Sequence, residues 1–188
     1  MGRGVILVRH AMPQVVSGVS SKLWSLGESA KEDCVLLAHA LPEDVAPVIY
    51  TSDEPKAAET AAVIALRLGL RVVTDARFAE VNRPATWDDD YRAMVLRYLD
   101  GGVQPGWEPA VQVLARFTAA IEAALAAHPQ GDIIVSNHGM ALSLYAASLA
   151  DGTDLPAFWR ALTFPDAWRV DLDTRVLERL FFGGLSPE

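Results

Sequence analysis

Two histidines in this chain directly follow runs of apolar residues. Arg9-His10 closes Gly4-Val5-Ile6-Leu7-Val8, and His138-Gly139 closes Ile133-Ile134-Val135-Ser136-Asn137. Short runs rich in Val, Ile and Leu read as strands buried on both faces. The polar residues after them emerge at the carboxyl end, where open α/β sheets place their ligands. Arg9 is a permanent cation suited to phosphate or carboxylate, and His10 can serve as nucleophile, base or ligand. Two more polar sites follow the runs Pro47–Thr51 and Arg71–Thr74: Ser52 with Asp53-Glu54-Pro55-Lys56, and Glu80. In a parallel sheet the carboxyl ends share one edge, so these groups can converge. Two histidines, an arginine, a lysine and a carboxylate form a positively biased pocket, which suits a compact anion such as phosphate.

The elements that must position these groups alternate between strand and helix. Cys34, Leu37, Ala38 and Leu41 fall on one helix face, and so do Ala57, Ala61, Ile64 and Leu68 ahead of a capping Gly69. Leu114, Phe117, Ile121 and Leu125 line a third helix, with Pro109 near its first turn. The alternation predicts a three-layer α/β sandwich, a mostly parallel sheet with helices on both faces. Trp168–Leu172 and Val176–Phe182 read as a C-terminal hairpin at the sheet edge. One domain over residues 1–188 is expected. Residues 81–106, with a short helix around Tyr91–Leu99 and a Gly101-Gly102 turn, interrupt the alternation as a lid insertion, a substrate wall or a plain connector.

Composition narrows the classes. The 188 residues are 51% hydrophobic and 21% charged, as in a globular domain with a substantial core. A net charge of −8 without a Lys/Arg cluster argues against a nucleic-acid partner. Apolar stretches such as Ala119–Ala127 fall short of a membrane span, and Arg9 and His10 cut a signal-like run short. The expectation is a cytoplasmic protein with no membrane partner. The one cysteine, Cys34, reads as a buried small hydrophobe.

In order along the chain, four blocks resemble the histidine phosphatase superfamily, the phosphoglycerate mutase-like group. Leu7-Val8-Arg9-His10-Ala11 is similar to its Arg-His-Gly signature, and Tyr50–Ala61 to its Ser-Ser-x-x-x-Arg-Ala-x-x-Thr-Ala block. Phe78-Ala79-Glu80 resembles the block carrying the acid, and Ile133–Gly139 the last block, with its second catalytic histidine. Trp24-Ser25-Leu26 also stands where the family has a Leu-Thr helix start. The resemblance implies a catalytic set of His10, Arg9, Glu80 and His138. His10 would attack phosphorus and become a phosphohistidine, with no cofactor or metal. Arg9, Lys56 and His138 would hold the phosphoryl oxygens. Glu80 would act as acid and then base, a role that calls for a raised pKa.

Several assignments have plainer readings beside them. Ser52 could cap the following helix, contact phosphate, or do both. Glu80 could be a surface carboxylate. His39 and His128 lie in helical patterns, the latter at a helix end, where a helix-terminal charge role fits better than catalysis. Arg83, Trp87 and Arg92 are candidates for substrate recognition, with packing as the alternative.

The chain departs from the family at Lys56, where a bidentate arginine is replaced by a point charge, and at Ala11, which replaces glycine. Met12, Pro13 and Val16 would line the pocket without binding a second phosphate. The chain is also short beside the mutases. The apolar Met12, Pro13 and Val16 and the short chain favour a phosphatase acting on a small phosphorylated metabolite over a mutase. Lys56 suggests the alternative of a catalytically weak phospho-ligand-binding or regulatory module. A protein-phosphohistidine phosphatase is a further alternative. Inorganic phosphate is the expected product ligand. Trp159, Phe181 and Phe182 could belong to the core or to a homodimer interface.

Overall fold

In a computed structural model, residues 2–85, 90–150 and 152–185 are described. The elements follow the order β1 (Gly4–Arg9), α1 (Ala30–Ala40), β2 (Val45–Thr51), α2 (Pro55–Leu68), β3 (Arg71–Thr74), α3 (Tyr91–Leu99) and α4 (Ala110–Ala127). Then come β4 (Asp132–Asn137), α5 (Gly139–Leu149), α6 (Leu155–Ala161), β5 (Phe164–Asp171) and β6 (Leu177–Leu185), with short 3₁₀ turns at Ser21–Leu23 and Ala76–Phe78.

One six-stranded sheet runs in the order β3-β2-β4-β1-β5-β6. The first four are mutually parallel, and β5 pairs antiparallel with both β1 and β6. Strands β1 and β4 lie centrally and are buried along their whole length. Their side chains alternate between two cores, as the period of a strand requires. Val5, Leu7, Ile133 and Val135 pack with Phe117 and Ile121 of α4, Met140 and Leu142 of α5, and Trp159 of α6. Ile6, Val8 and Ile134 face the other way, onto Leu37 of α1 and Ile64 of α2. This is the expected sandwich, mostly parallel, with helices on both faces and the hairpin at one edge.

The differences from the sequence reading have physical causes. Helix α5 shows no period because all of Gly139–Ala146 is buried, leaving no polar face to mark it. The hairpin begins at Phe164 rather than Trp168 because β5 pairs with β1 as well as with β6. Helix α4 is long and apolar enough, by composition, to cross a membrane, but Val113, Phe117, Ala120, Ile121 and Ala124 are in the core. Trp159 belongs to the core and Phe181 packs partly against it, whereas Phe182 is exposed.

Candidate active site

The carboxyl edge of β1, β2 and β4 opens into a pocket of about 760 Å³. Arg9, His10, Glu54, Lys56, Glu80, His138 and Gly139 line it, together with Met12, Pro13, Val15, Trp24, Tyr91, Trp159 and Phe164. Neighbouring parallel strands β1 and β4, in register from Val5 with Ile133 to Arg9 with Asn137, bring the two histidines together. Their ring centroids stand 5.2 Å apart, edge to face.

His10 follows the last residue of β1, and its N–H donates to Asn137 C=O at 3.0 Å. Its Nδ1 lies 2.8 Å from Ala11 C=O, so the ring proton belongs on Nδ1 and Nε2 keeps a lone pair. Burial, with coupling to the neighbouring His138 and then the positive charges of Lys56 and Arg9, holds this imidazole well below the ordinary 6.5. The ring is therefore neutral at physiological pH.

His138 is also kept neutral, chiefly by burial and then by Lys56 and Arg9. Its Nε2 meets Ser52 Oγ at 2.7 Å, and the same hydroxyl accepts the Glu54 N–H at 3.3 Å. With the hydroxyl donating to Nε2, the ring proton sits on Nδ1, a buried donor without a protein partner among the described residues. Ser52 is fully buried, outside the pocket lining. It orients His138 from behind the lining and is not the N-cap of α2, a position that Glu54 occupies.

Arg9 donates through Nη1 to the carbonyls of Leu162 and Thr163, at 3.2 and 3.4 Å, and its guanidinium lies 3.6 Å from the centre of the Phe164 ring. Burial lowers its pKa to about 10, against the opposing pull of Glu80 and Asp166, so it stays charged. Its Nε is buried and, like His138 Nδ1, has no acceptor among the described residues. An oxyanion in the pocket would satisfy both donors.

Glu80 follows the 3₁₀ turn, and its carboxylate accepts N–H groups from Val81 at 2.9 Å and from Met140 and Ala141 at 3.0 Å each. The last two belong to the first turn of α5, whose N-terminus favours a negative group. Arg116 on α4 holds the backbone of this segment. It donates to the carbonyls of Arg77, Ala79 and Glu80 at 2.7 to 3.0 Å, and is itself fixed by Glu108.

Lys56, the second residue of α2, points its ammonium at Ser21 C=O, at 2.7 Å, and at Glu54 Oε2, at 2.5 Å. Glu54 Oε1 accepts the Glu80 N–H at 3.1 Å and lies 3.7 Å from His138 Nε2. The positive bias expected from the sequence holds along the lining, where Arg9, Lys22, Lys56, Arg83 and Arg92 face Glu54 and Glu80, but Glu54 offsets it beside Lys56. Arg83 reaches Ser21 Oγ at 3.3 Å and stacks 4.5 Å from the Tyr91 ring centre. Part of residues 81–106 thus forms a pocket wall, anchored in the core by Val95, Tyr98 and Leu99. Trp87 lies outside the described residues. Val15 lines the pocket in place of the expected Val16, which is exposed. Among the described residues, no group of three His, Cys, Asp or Glu side chains could hold a metal ion.

Two residues of the site carried no role in the sequence reading. Glu54 left a signal, an acid inside a block expected to be cationic. Arg116 left none, because one arginine on a helix looks like any solvated charge.

The probable phosphoglycerate mutase GpmB of Yersinia enterocolitica is 29% identical over 161 residues, covering 77% of this chain and 74% of that protein. The native structure of a mycobacterial glucosyl-3-phosphoglycerate phosphatase superposes with a TM-score of 0.74 at 17% identity, over 97% of this chain and 99% of the other. YhfR of Bacillus stearothermophilus gives a TM-score of 0.75 at 18% identity, over 98% of each chain. The model of the histidine phosphatase superfamily, branch 1, matches residues 5–170, and the chain belongs to that superfamily.

Proposed function

We propose that this protein is a phosphomonoesterase that needs no metal and works through a phosphohistidine on His10. The observation that carries this reading is the Nδ1 contact of His10 with Ala11 C=O, which leaves a neutral, unprotonated Nε2 in the pocket. That nitrogen attacks phosphorus in line, forming the N–P bond as the ester P–O bond breaks. Arg9, Lys56 and His138 Nδ1 stabilise the charge that builds on the phosphoryl oxygens. Glu80, protonated from solvent before the transfer, gives that proton to the leaving alkoxide, then regains one from the water that cleaves the N–P bond. Phosphate leaves, and His10 and Glu80 return to their starting states.

Met12 and Pro13 line the pocket beside His10, which favours hydrolysis over phosphoryl return to the same substrate. The same wall carries Val15, Trp24 and Tyr91 together with the cations Lys22, Arg83 and Arg92, so the substrate is a small phosphomonoester whose alcohol meets apolar and cationic groups alike. In the test, purified protein is given an aryl phosphate with and without chelator, and the phosphoenzyme is trapped with acid-labile label. Chelator-resistant turnover and label on His10, both absent in His10→Ala, are expected. Turnover that survives His10→Ala overturns the mechanism.

A further inference from the structure

Glu54 is the charged group at the phosphoryl site that the proposed mechanism leaves unused. It is 5% exposed and contacts three members of the site at once: Lys56 at 2.5 Å, the Glu80 N–H at 3.1 Å and His138 Nε2 at 3.7 Å. A carboxylate so near the binding place of a dianion opposes it, because like charges in a partly desolvated pocket repel strongly. It is also the side-chain acceptor of the Lys56 ammonium, a donor that the dianion would need for itself.

Resting on the phosphatase reading, we propose that Glu54 is an exchangeable counter-ion of Lys56. In the empty site it is ionised and paired. When a phosphoryl dianion enters, Glu54 takes one proton from solvent through the pocket, and Lys56 transfers its hydrogen bond to a phosphoryl oxygen. No other bond changes, and the neutral Glu54 carboxyl can still accept the Glu80 N–H. Binding of one dianion therefore takes up one proton, and the Lys56–Glu54 pair changes from neutral to cationic only when the site is filled.

The groups facing Glu54 fit this exchange. Lys56 comes from α2, His138 from the start of α5, Glu80 from the loop after β3, and Arg9 and His10 from the end of β1. Both histidines are neutral, so they do not neutralise a carboxylate in the empty site. A lysine, unlike an arginine, is a point donor on a flexible stem and can change partner by a small rotation.

Sulfate tests the exchange, because it stays dianionic throughout the useful range and is not hydrolysed. Its affinity for the wild-type protein, read by calorimetry, should weaken by up to about a hundredfold between roughly pH 6 and pH 8, since one proton linked to one anion changes the affinity about tenfold per pH unit. Glu54→Gln should bind sulfate about tenfold more tightly than wild type near pH 8, and its pH dependence should flatten. Glu54→Met, similar in length and apolar, should behave alike, and melting curves check that each variant folds.

Equal or weaker sulfate binding by both variants near pH 8 overturns the proposal. So does a pH slope that both retain, which would put the linked proton on a histidine or on Glu80. If the wild-type protein binds no sulfate and hydrolyses no phosphomonoester, the phosphatase reading fails first.

Discussion

The glycine after His138 carries a constraint set by Arg9. A methyl group on Gly139 would stand 3.2 Å from Arg9 Nε and 3.1 Å from Trp159 Nε1. Either neighbour must give by a few tenths of an ångström. Trp159 is held in the core, whereas the Arg9 guanidinium spans a pocket wall, so the arginine is the group that moves. Arg9 is also the cation placed to meet the phosphoryl oxygens. Gly139→Ala should therefore weaken phosphate binding by about tenfold, as one charge-assisted contact is lost, with thermal stability nearly unchanged. Competitive inhibition by phosphate measures the first and a melting curve the second. An unchanged inhibition constant would show that Arg9 tolerates the methyl group in place.

At the scale of elements, the site depends on how the Ala76–Glu80 segment is tied down. Arg116 joins α4 to three carbonyls of that segment, so it fixes the path along which Glu80 reaches the N-terminus of α5. Arg116→Ala leaves those carbonyls and Glu108 without their donor, a loss of about 1–3 kcal/mol in stability. If Glu80 is the proton donor, the kinetic cost will depend on the leaving group. Phenyl phosphate, which needs the proton, should lose roughly tenfold in kcat/KM, and 2,4-dinitrophenyl phosphate much less. An equal loss on both esters would separate the clamp from proton transfer. The same elements show what a sequence reveals. Strands β1, β2, β3 and β4 announce themselves by short apolar runs, and the polar residue after each follows from the direction of a parallel sheet. Glu54, Arg116 and the aromatic walls do not. Their roles come from contacts across 26 to 37 residues of chain, which no local pattern encodes. Ser52 was visible as a polar residue at a strand end, but its place behind His138 depends on the pairing of β2 with β4.

For the molecule as a whole, one sheet edge that gathers buried, uncharged histidines imposes a cost at low pH. The folded state holds His10 and His138 well below 6.5, mainly by burial, whereas the unfolded chain titrates near that value. Below about pH 6.5 the unfolded chain binds protons that the folded protein excludes, so stability falls as pH falls. It is fully present above that range. The slope approaches about 1.4 kcal/mol per pH unit for each histidine until its folded-state value is reached. Asp171, brought down to about 2 by the backbone amide of Thr174 and also by Arg169, acts in a separate window below about pH 4. Urea unfolding of wild type and His10→Asn at about pH 7.5, 6 and 5 isolates the first effect. The wild-type protein should lose stability steeply across this series, and the variant should lose about half as much, since one of two linked protons is gone. Parallel losses in both proteins would mean that His10 titrates normally in the folded state. The neutral nucleophile on which the phosphohistidine mechanism depends would then have to be created by substrate binding rather than by the fold.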